Sequence, residues 1–265
     1  PAHPPVPDVG DLSDVLLESD VVSYIKKMVI SDPMSFWRTV NHAMTVNGVP
    51  ERDQRYLKDW AELHIGPDQD VSQAETNEQA GLAKAVLDGI MIMRAYRSSE
   101  DRKVNGWGVP PVGFGRSGVH GNFYMRGAIQ SMRGIVANDA EEAMYMGRDK
   151  DQNHDSITNE HTYELHFPSG QAPPARYFWS LTVYDQDANL MLNDYDRYAI
   201  SGNSEDLIYE DDGSLRILIG GKPPEGMVGN WLPAGESFTR VTLRVYGPEK
   251  AMLERSWKPP QLKRL

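Results

Sequence analysis

The residue types best suited to chemistry crowd into two short stretches of the chain. In the first, Tyr184-Asp185 and Asp196-Arg197-Tyr198 supply carboxylates, a guanidinium and two phenols around a polar turn. A carboxylate desolvated beside aromatic rings can serve as a general base, with Arg and Tyr as donors to a developing oxyanion. The same residues can equally form a buried Asp–Arg pair that holds a corner, the Tyr hydroxyls satisfying backbone groups. The second stretch is His120-Gly121-Asn122-Phe123-Tyr124-Met125-Arg126. Here Asn122 can cap a helix whose first-turn N–H groups attract anions, and Arg126, Gln130 and Arg133 follow at i, i+4 and i+7. That polar stripe lines a cleft if it faces the sheets and is a solvated face if it meets water. Trp231 can stack on a sugar ring or fill the core. The candidate catalytic set is His120, Tyr124, Arg126, Asp185 and Arg197, with Asn122, Arg133, Tyr184, Tyr198 and Trp231 as ligand contacts.

Other chemistries find little support. Gly113-Phe114-Gly115-Arg116-Ser117-Gly118 fits a dinucleotide fingerprint by letter, with Asp139 near the ribose position, but no strand precedes it and no βαβ pattern surrounds it. Ser117 is flanked as G-R-S-G, so a nucleophile elbow is absent, and there is no HExxH. His154, Asp155, His161 and His166 lie close in sequence and could supply a facial metal set, yet His161 and His166 differ by an odd number and would face opposite sides of a strand. The chain has no cysteine, which removes thiolate ligands, disulfides and Cys nucleophiles. Neither a metal nor another cofactor is expected.

These groups must be positioned by a chain of 265 residues with net charge −11, long enough for one large domain or two small ones. The acidic balance argues against a broad nucleic-acid footprint, which needs a basic face. The basic tail Lys258-Pro259-Pro260-Gln261-Leu262-Lys263-Arg264 reads as a solvated end. No run approaches the roughly 20 apolar residues of a membrane span. The Pro-rich start without an initiator Met looks processed or truncated, and a periplasmic or secreted location is slightly favoured over a cytoplasmic one.

The first hundred residues show helical spacing. Val15, Val22, Ile25 and Val29 recur in phase, and Asp32-Pro33 predicts a capped helix start with Phe36, Trp37, Val40 and Met44 on its apolar face. Asn47-Gly48 stops it. Further helices are expected over about 51–64 and 74–97, the Met91/Met93 stripe of the latter packing into a core or forming a plastic groove. Residues 105–121 are dense in Gly and Pro and read as coil. A helical pattern returns from Asn122, and Asn138 with Glu141 reads as the capping box of a short helix through Met146, followed by a polar linker over 147–160.

From there the period is two. Tyr163, Leu165 and Phe167 alternate with polar residues, and strands are expected at 178–184, 190–192, 198–200, 215–219 and 238–246. In the last, Phe238, Arg240, Thr242, Arg244 and Tyr246 share one face, and Thr239, Val241, Leu243 and Val245 the other. Many short strands between Gly/Pro turns predict an antiparallel sandwich. The fold class is α+β, with a helical segment over 1–104 and a β-sandwich domain over 105–265.

The blocks FWSLTVYD (178–185), NDYDRYAISG (193–202), DGSLRILI (212–219), NWLPAGESF (230–238) and LRVYGP (243–248) follow in an order that resembles the bacterial domain-of-unknown-function family 1214. The upstream blocks at 121–145 and 163–174 fit the same resemblance. It implies a jelly-roll-like sandwich with helical elements, and usually a preceding companion domain, family 1254, which is not recognisable in this chain. It implies no reaction. Two readings follow. One is an enzyme acting on a small polar or carbohydrate-like molecule by metal-free acid–base chemistry in a cleft. The other is a non-catalytic ligand-binding or assembly module, whose sandwich docks a companion domain or a second copy in a homo-oligomer.

Overall fold

The computed structural model describes residues 29–97, 103–110, 138–186, 188–223 and 225–265, the side chains of 93–97 excepted. The chain divides into two units, residues 1–98 and 99–265.

The described part of the first unit is helical: α1 is Met34–Asn47, α2 is Gln54–Trp60 between two short 3-10 turns, and α3 is Thr76–Arg97. The N-cap position of α1 is held by Pro33 and not Asp32, with no side-chain cap. The Asp32 carboxylate is instead paired with Arg38, and its backbone carbonyl accepts the Ser35 N–H at 2.9 Å. Gly48, at φ 72°, ends the helix where an L side chain would be strained. Ile65, Val71 and Leu82 form a small core with Met34, Trp37, Met44 and Leu63, while Phe36 is exposed. Met91 packs with Leu87 and Ile90 around Ile30, and the side chain of Met93, the other member of its stripe, lies outside those described. The polar anchor is Asn41, buried on α1. Its amide donates to the carbonyls of His64 and Gln69 and accepts the Gly66 N–H, each at 2.9 Å, so one side chain satisfies three backbone groups.

The second unit contains two sheets. One has six strands in the order β1-β2-β3-β9-β5-β6, where β1 is Lys103–Val104, β2 Trp107–Gly108, β3 Ala143–Arg148, β5 Ala175–Asp185, β6 Ala199–Ser201 and β9 Phe238–Pro248. The other runs β10-β4-β7-β8, with β4 Tyr163–Phe167, β7 Leu215–Ile219, β8 Trp231–Leu232 and β10 Lys263–Arg264. A single turn of helix, α4 (Lys250–Leu253), follows β9. Both sheets supply one hydrophobic core: Met144, Met146, Leu181, Val183, Val241, Leu243 and Val245 from the first meet Leu165, Phe167, Leu215, Ile217 and Ile219 from the second. The chain is thus α+β, with helices in the first unit and two largely antiparallel sheets in the second, where the pairing of β7 with β8 is parallel.

Several expectations are corrected here. Residues 143–146 are strand, not helix, because β3 pairs with β9 along its whole length, from Ala143 opposite Tyr246 to Arg148 opposite Val241. Within the expected coil, Trp107 and Gly108 form β2, with the Trp107 indole donating to the Pro260 carbonyl at 2.8 Å. Leu190–Leu192 is not a strand. The tail is not a solvated end: Leu262 is buried, β10 pairs with β4, and Arg264 bonds Asp155 at 3.0 Å with the buried Asp151 carboxylate 3.4 Å away. The residues around 147–160 are likewise structured. Arg148 turns inward and donates to the carbonyls of Asn105 at 2.7 Å, Asp151 at 2.8 Å and Lys150. In β9 the alternation breaks at one bulge, where the register passes from Tyr184↔Arg240 to Asp185↔Phe238. The extra residue turns Phe238 into the core, away from the face it was expected to share with Arg240.

Candidate functional site

The polar residues that the sheets gather lie on the face of β3, β9 and β5 that points away from the shared core. Period-two geometry requires this: with Met144, Met146, Leu243, Val245, Leu181 and Val183 inward, Tyr145, Arg244, Tyr246, Phe178, Thr182 and Tyr184 stand on the other side. Register then sets neighbours, since Arg244 lies opposite Tyr145 on one strand and Ser180 on the other, and Tyr184 opposite Arg240.

Arg244 is the centre. One guanidinium nitrogen donates to the Thr182 hydroxyl at 3.1 Å and another to the Tyr184 hydroxyl. Its guanidinium carbon lies 5.3 Å from the ring centre of Tyr184 and 5.8 Å from that of Tyr145, within cation–π range of both. Thr182 is only 6% exposed and Arg244 and both Tyr side chains are half-buried, so the cation is partly desolvated. Among the described residues it has no carboxylate in ion-pair range; its hydrogen bonds go to neutral oxygens. Beside it an aromatic row continues, with Tyr246 edge-on to Tyr145 at 6.3 Å and stacked on Phe178 at 4.4 Å.

The protonation states follow from this packing. Burial is the main cause that pushes the Tyr145 phenol above its ordinary value, with neighbouring Tyr246 adding to the rise and Arg244 opposing it. Tyr145 therefore keeps its proton at neutral pH. Its oxygen accepts a hydrogen bond from the Asn138 amide at 2.9 Å and its O–H is engaged with the Tyr246 hydroxyl, whereas the Tyr184 oxygen accepts from Arg244 and keeps its O–H to donate. The arrangement offers the Arg244 cation and the Tyr184 hydroxyl as neighbouring donors, groups whose chemistry suits a negatively charged or strongly polar acceptor.

The expected site residues fall in different places. Tyr184 belongs to this cluster. Asp185, at the end of β5, closes a turn: its carboxylate accepts the Asn189 N–H at 2.8 Å. Arg197 holds a corner, donating to the Gly229 carbonyl at 2.9 Å and pairing with Asp206. Tyr198 is half-buried just before β6. Trp231 fills the core at 2% exposure, its indole N–H on the Gly220 carbonyl at 2.9 Å and Tyr195 edge-on to its ring at 4.8 Å, leaving no open ring face for a sugar. Asp185, Arg197 and Trp231 therefore do not converge with Tyr184 on one surface. His120, Asn122, Tyr124, Arg126 and Arg133 lie outside the described residues, as do the helix expected from Asn122 and the Gly113–Gly118 motif. No group of three or more His, Asp or Glu side chains gathers as a metal site among the described residues. His161 packs edge-on to Tyr163 at 6.4 Å, and Asp155 pairs with Arg264. No helix among them is long and apolar enough to cross a membrane.

Every residue of the Arg244 cluster except Asn138 falls within one stretch of recognisable family sequence. Residues 142–250 match the family described as "Protein of unknown function (DUF1214)". The resemblance to DUF1214 seen in the sequence blocks thus holds over β3 to β9. Among solved structures, the VPA0106 protein from Vibrio parahaemolyticus superposes with a TM-score of 0.59 at 20% identity, over 88% of this chain and 57% of that one. That likeness shows a shared fold, and the chain spans little more than half the length of the Vibrio protein. An uncharacterised protein from Burkholderia cenocepacia aligns over 71% of this chain and 43% of its own, at 16% identity and a TM-score of 0.39. No curated protein matches the chain. The DUF1214 match brings no reaction with it, so function rests on the geometry around Arg244.

Sequence reasoning passed over Tyr145 and Arg244. Arg244 was placed on the correct face of β9, but nothing local marks it as a site, since its partners come from β3 and β5. The readable signal was an Arg on a strand whose inward neighbours are Leu243 and Val245, where a solvated strand face more often carries Thr or Lys.

Proposed function

We propose that the outer face of β3, β9 and β5 is a ligand-binding surface for a small polar molecule bearing a carboxylate or similar anion. Arg244 takes the charge, and Tyr184 donates to its oxygens, with Tyr145 flanking the guanidinium. The observation that carries this reading is the half-buried guanidinium whose hydrogen bonds reach only neutral oxygens among the described residues. A partly desolvated cation gains most from an opposite charge, and a planar fork suits a two-oxygen acceptor. The aromatic row of Tyr246 and Phe178 offers a surface for the apolar side of the same molecule, including a sugar ring face. The scaffold under this reading is a jelly-roll-like sandwich.

The acid–base enzyme is a second reading, and the placement of the Tyr145 phenol beside the Arg244 guanidinium favours it: such a phenol can give its proton to an enolate or alkoxide that develops in a bound molecule, leaving a phenolate that the guanidinium stabilises, but not to a resting carboxylate. Binding comes first in either case. Melting curves of the wild type and of Arg244→Gln with glucuronate, with glucose and with buffer alone test it. At about 100 times the dissociation constant, glucuronate should raise the wild-type midpoint by roughly 5–10 °C. It should leave Arg244→Gln unmoved, and glucose should do less. Equal shifts in the two proteins, or none with any of a panel of sugar acids and dicarboxylates, contradict the proposal. Consumption of the bound acid by the wild type and not by Tyr145→Phe would establish the enzyme over the binding module.

A further inference from the structure

A second surface of the same unit is built in the opposite way. The loops 190–198, 204–210 and 226–231 are tied together by two side chains. Arg197 joins the first to the other two through Asp206 and the Gly229 carbonyl. Asn230, fully buried, accepts the Ile208 N–H at 2.8 Å and donates to the Ile208 and Arg216 carbonyls. These pinned loops nonetheless expose large apolar side chains: Leu190, Leu192, Tyr195, Ile208, Tyr209 and Val228, with Leu192 90% open. Six of the thirteen exposed large hydrophobics among the described residues sit on these three short loops, a concentration that scattered surface apolar residues do not show.

Their surroundings are strongly acidic. Residues 185–212 contain nine Asp or Glu and a single Arg, most of the chain's net charge of −11. Asp194, Asp196, Glu205, Asp211 and Asp212 are exposed there, and the two cations that reach these loops, Arg197 and Arg216, are committed to Asp206 and to Glu210. Apolar anchors ringed by one sign of charge select a partner by complementarity. Two copies meeting through this surface would oppose like charges. An anionic lipid surface or a nucleic acid would be repelled in the same way.

We infer that the loops around Leu192, Tyr195 and Tyr209 dock a basic protein segment that carries apolar anchors, its Lys or Arg residues facing the acidic rim. The apolar side chains supply the contact area, and the rim supplies steering and orientation. The loops are pinned by Arg197 and Asn230, so they present the anchors with little ordering left to do on binding.

The test uses the full chain and a synthetic amphipathic helix of Lys, Leu and Trp, followed by fluorescence anisotropy. The double variant Leu192→Ser with Tyr209→Ser keeps the charge and alters only exposed side chains. The wild type should bind the peptide and lose affinity as salt is raised. The double variant should bind about tenfold more weakly, as expected when central anchors are truncated. A peptide with every Lys replaced by Glu should not bind. Equal binding by wild type and double variant would reduce the effect to general charge attraction and overturn the inference. So would binding of the Glu peptide, attachment to phosphatidylserine vesicles, or self-association in sedimentation that the double variant abolishes.

Discussion

Arg197 and Arg244 are both half-buried, both donate through two guanidinium nitrogens, and both lie beside tyrosines, yet their partners differ in kind. Arg197 meets a carboxylate and a backbone carbonyl, and so ties two loops to a third. Arg244 meets a threonine and a tyrosine hydroxyl and two aromatic faces, which hold its position without answering its charge. A third arginine, Arg148, is deeply buried and wrapped by backbone carbonyls of Asn105, Lys150 and Asp151. Under the proposed reading of Arg244, burial alone does not distinguish a structural cation from one that binds a ligand. The identity of the acceptors does.

Mutating the three arginines should separate them by size of effect. Arg148→Met removes a cation whose three acceptors stitch β1–β2 to the loop after β3, leaving buried carbonyls without donors. It should cost about 3–5 kcal/mol in denaturant unfolding of the full chain, the range for breaking a buried charged network. A loss below about 1 kcal/mol would show that water replaces it. Arg197→Lys keeps the charge but loses the planar fork that reaches Asp206 and Gly229 together, and should cost about 1–2 kcal/mol. The Asp206 side chain is 52% exposed, so solvent screening keeps the ion-pair share of that loss small.

Arg244→Gln should move stability by less than about 1 kcal/mol in either direction, because a recognising cation adds little to the unliganded fold. A loss as large as that of Arg148→Met would place Arg244 with the structural arginines. A smaller effect is expected at high pH. The folded value of Tyr145 is raised above its ordinary 10.0, so its contribution is fully present below that value and is lost as pH rises through the folded one. Phenolate absorbance of the wild type should show a late-titrating component, and Tyr145→Phe should reduce it by one tyrosine. A late component left undiminished by the substitution would belong to another tyrosine.

The same contrast explains what the sequence disclosed. Strands β4 and β7 are legible because their buried positions alternate without interruption, as in Tyr163, Leu165 and Phe167, and β9 is legible from Val241 to Val245, beyond its bulge. Strand β3 is not. Its Ala143-Met144-Tyr145-Met146 run suits a helix, and Asn138 with Glu141 imitates a capping box, but full pairing with β9 overrides local preference. The tail was misread because Lys258, Lys263 and Arg264 suggest solvent, while Leu262 is the residue that docks it. A corner at Arg197 is suggested by the local cluster of Asp and Arg, but its partners are Asp206 and the Gly229 carbonyl and not Asp185 or Asp196 of that cluster. The Arg244 cluster joins three strands distant in sequence, and only register brings Tyr145, Arg244 and Tyr184 side by side. Local pattern reveals faces; it does not reveal which faces meet.

The most direct measurement observes the arginines together. In protein labelled with nitrogen-15 arginine, the Nε–H resonances of Arg148, Arg197 and Arg244, assigned with the variants above, can be followed as glucuronate is added. The Arg244 resonance should shift in a saturable way and that of Arg148 and Arg197 should stay in place, with glucose moving none of them. A saturable shift of Arg197 with Arg244 unmoved, or no shift in any arginine across the panel of small acids, would contradict the assignment of Arg244 as the group that receives an anion.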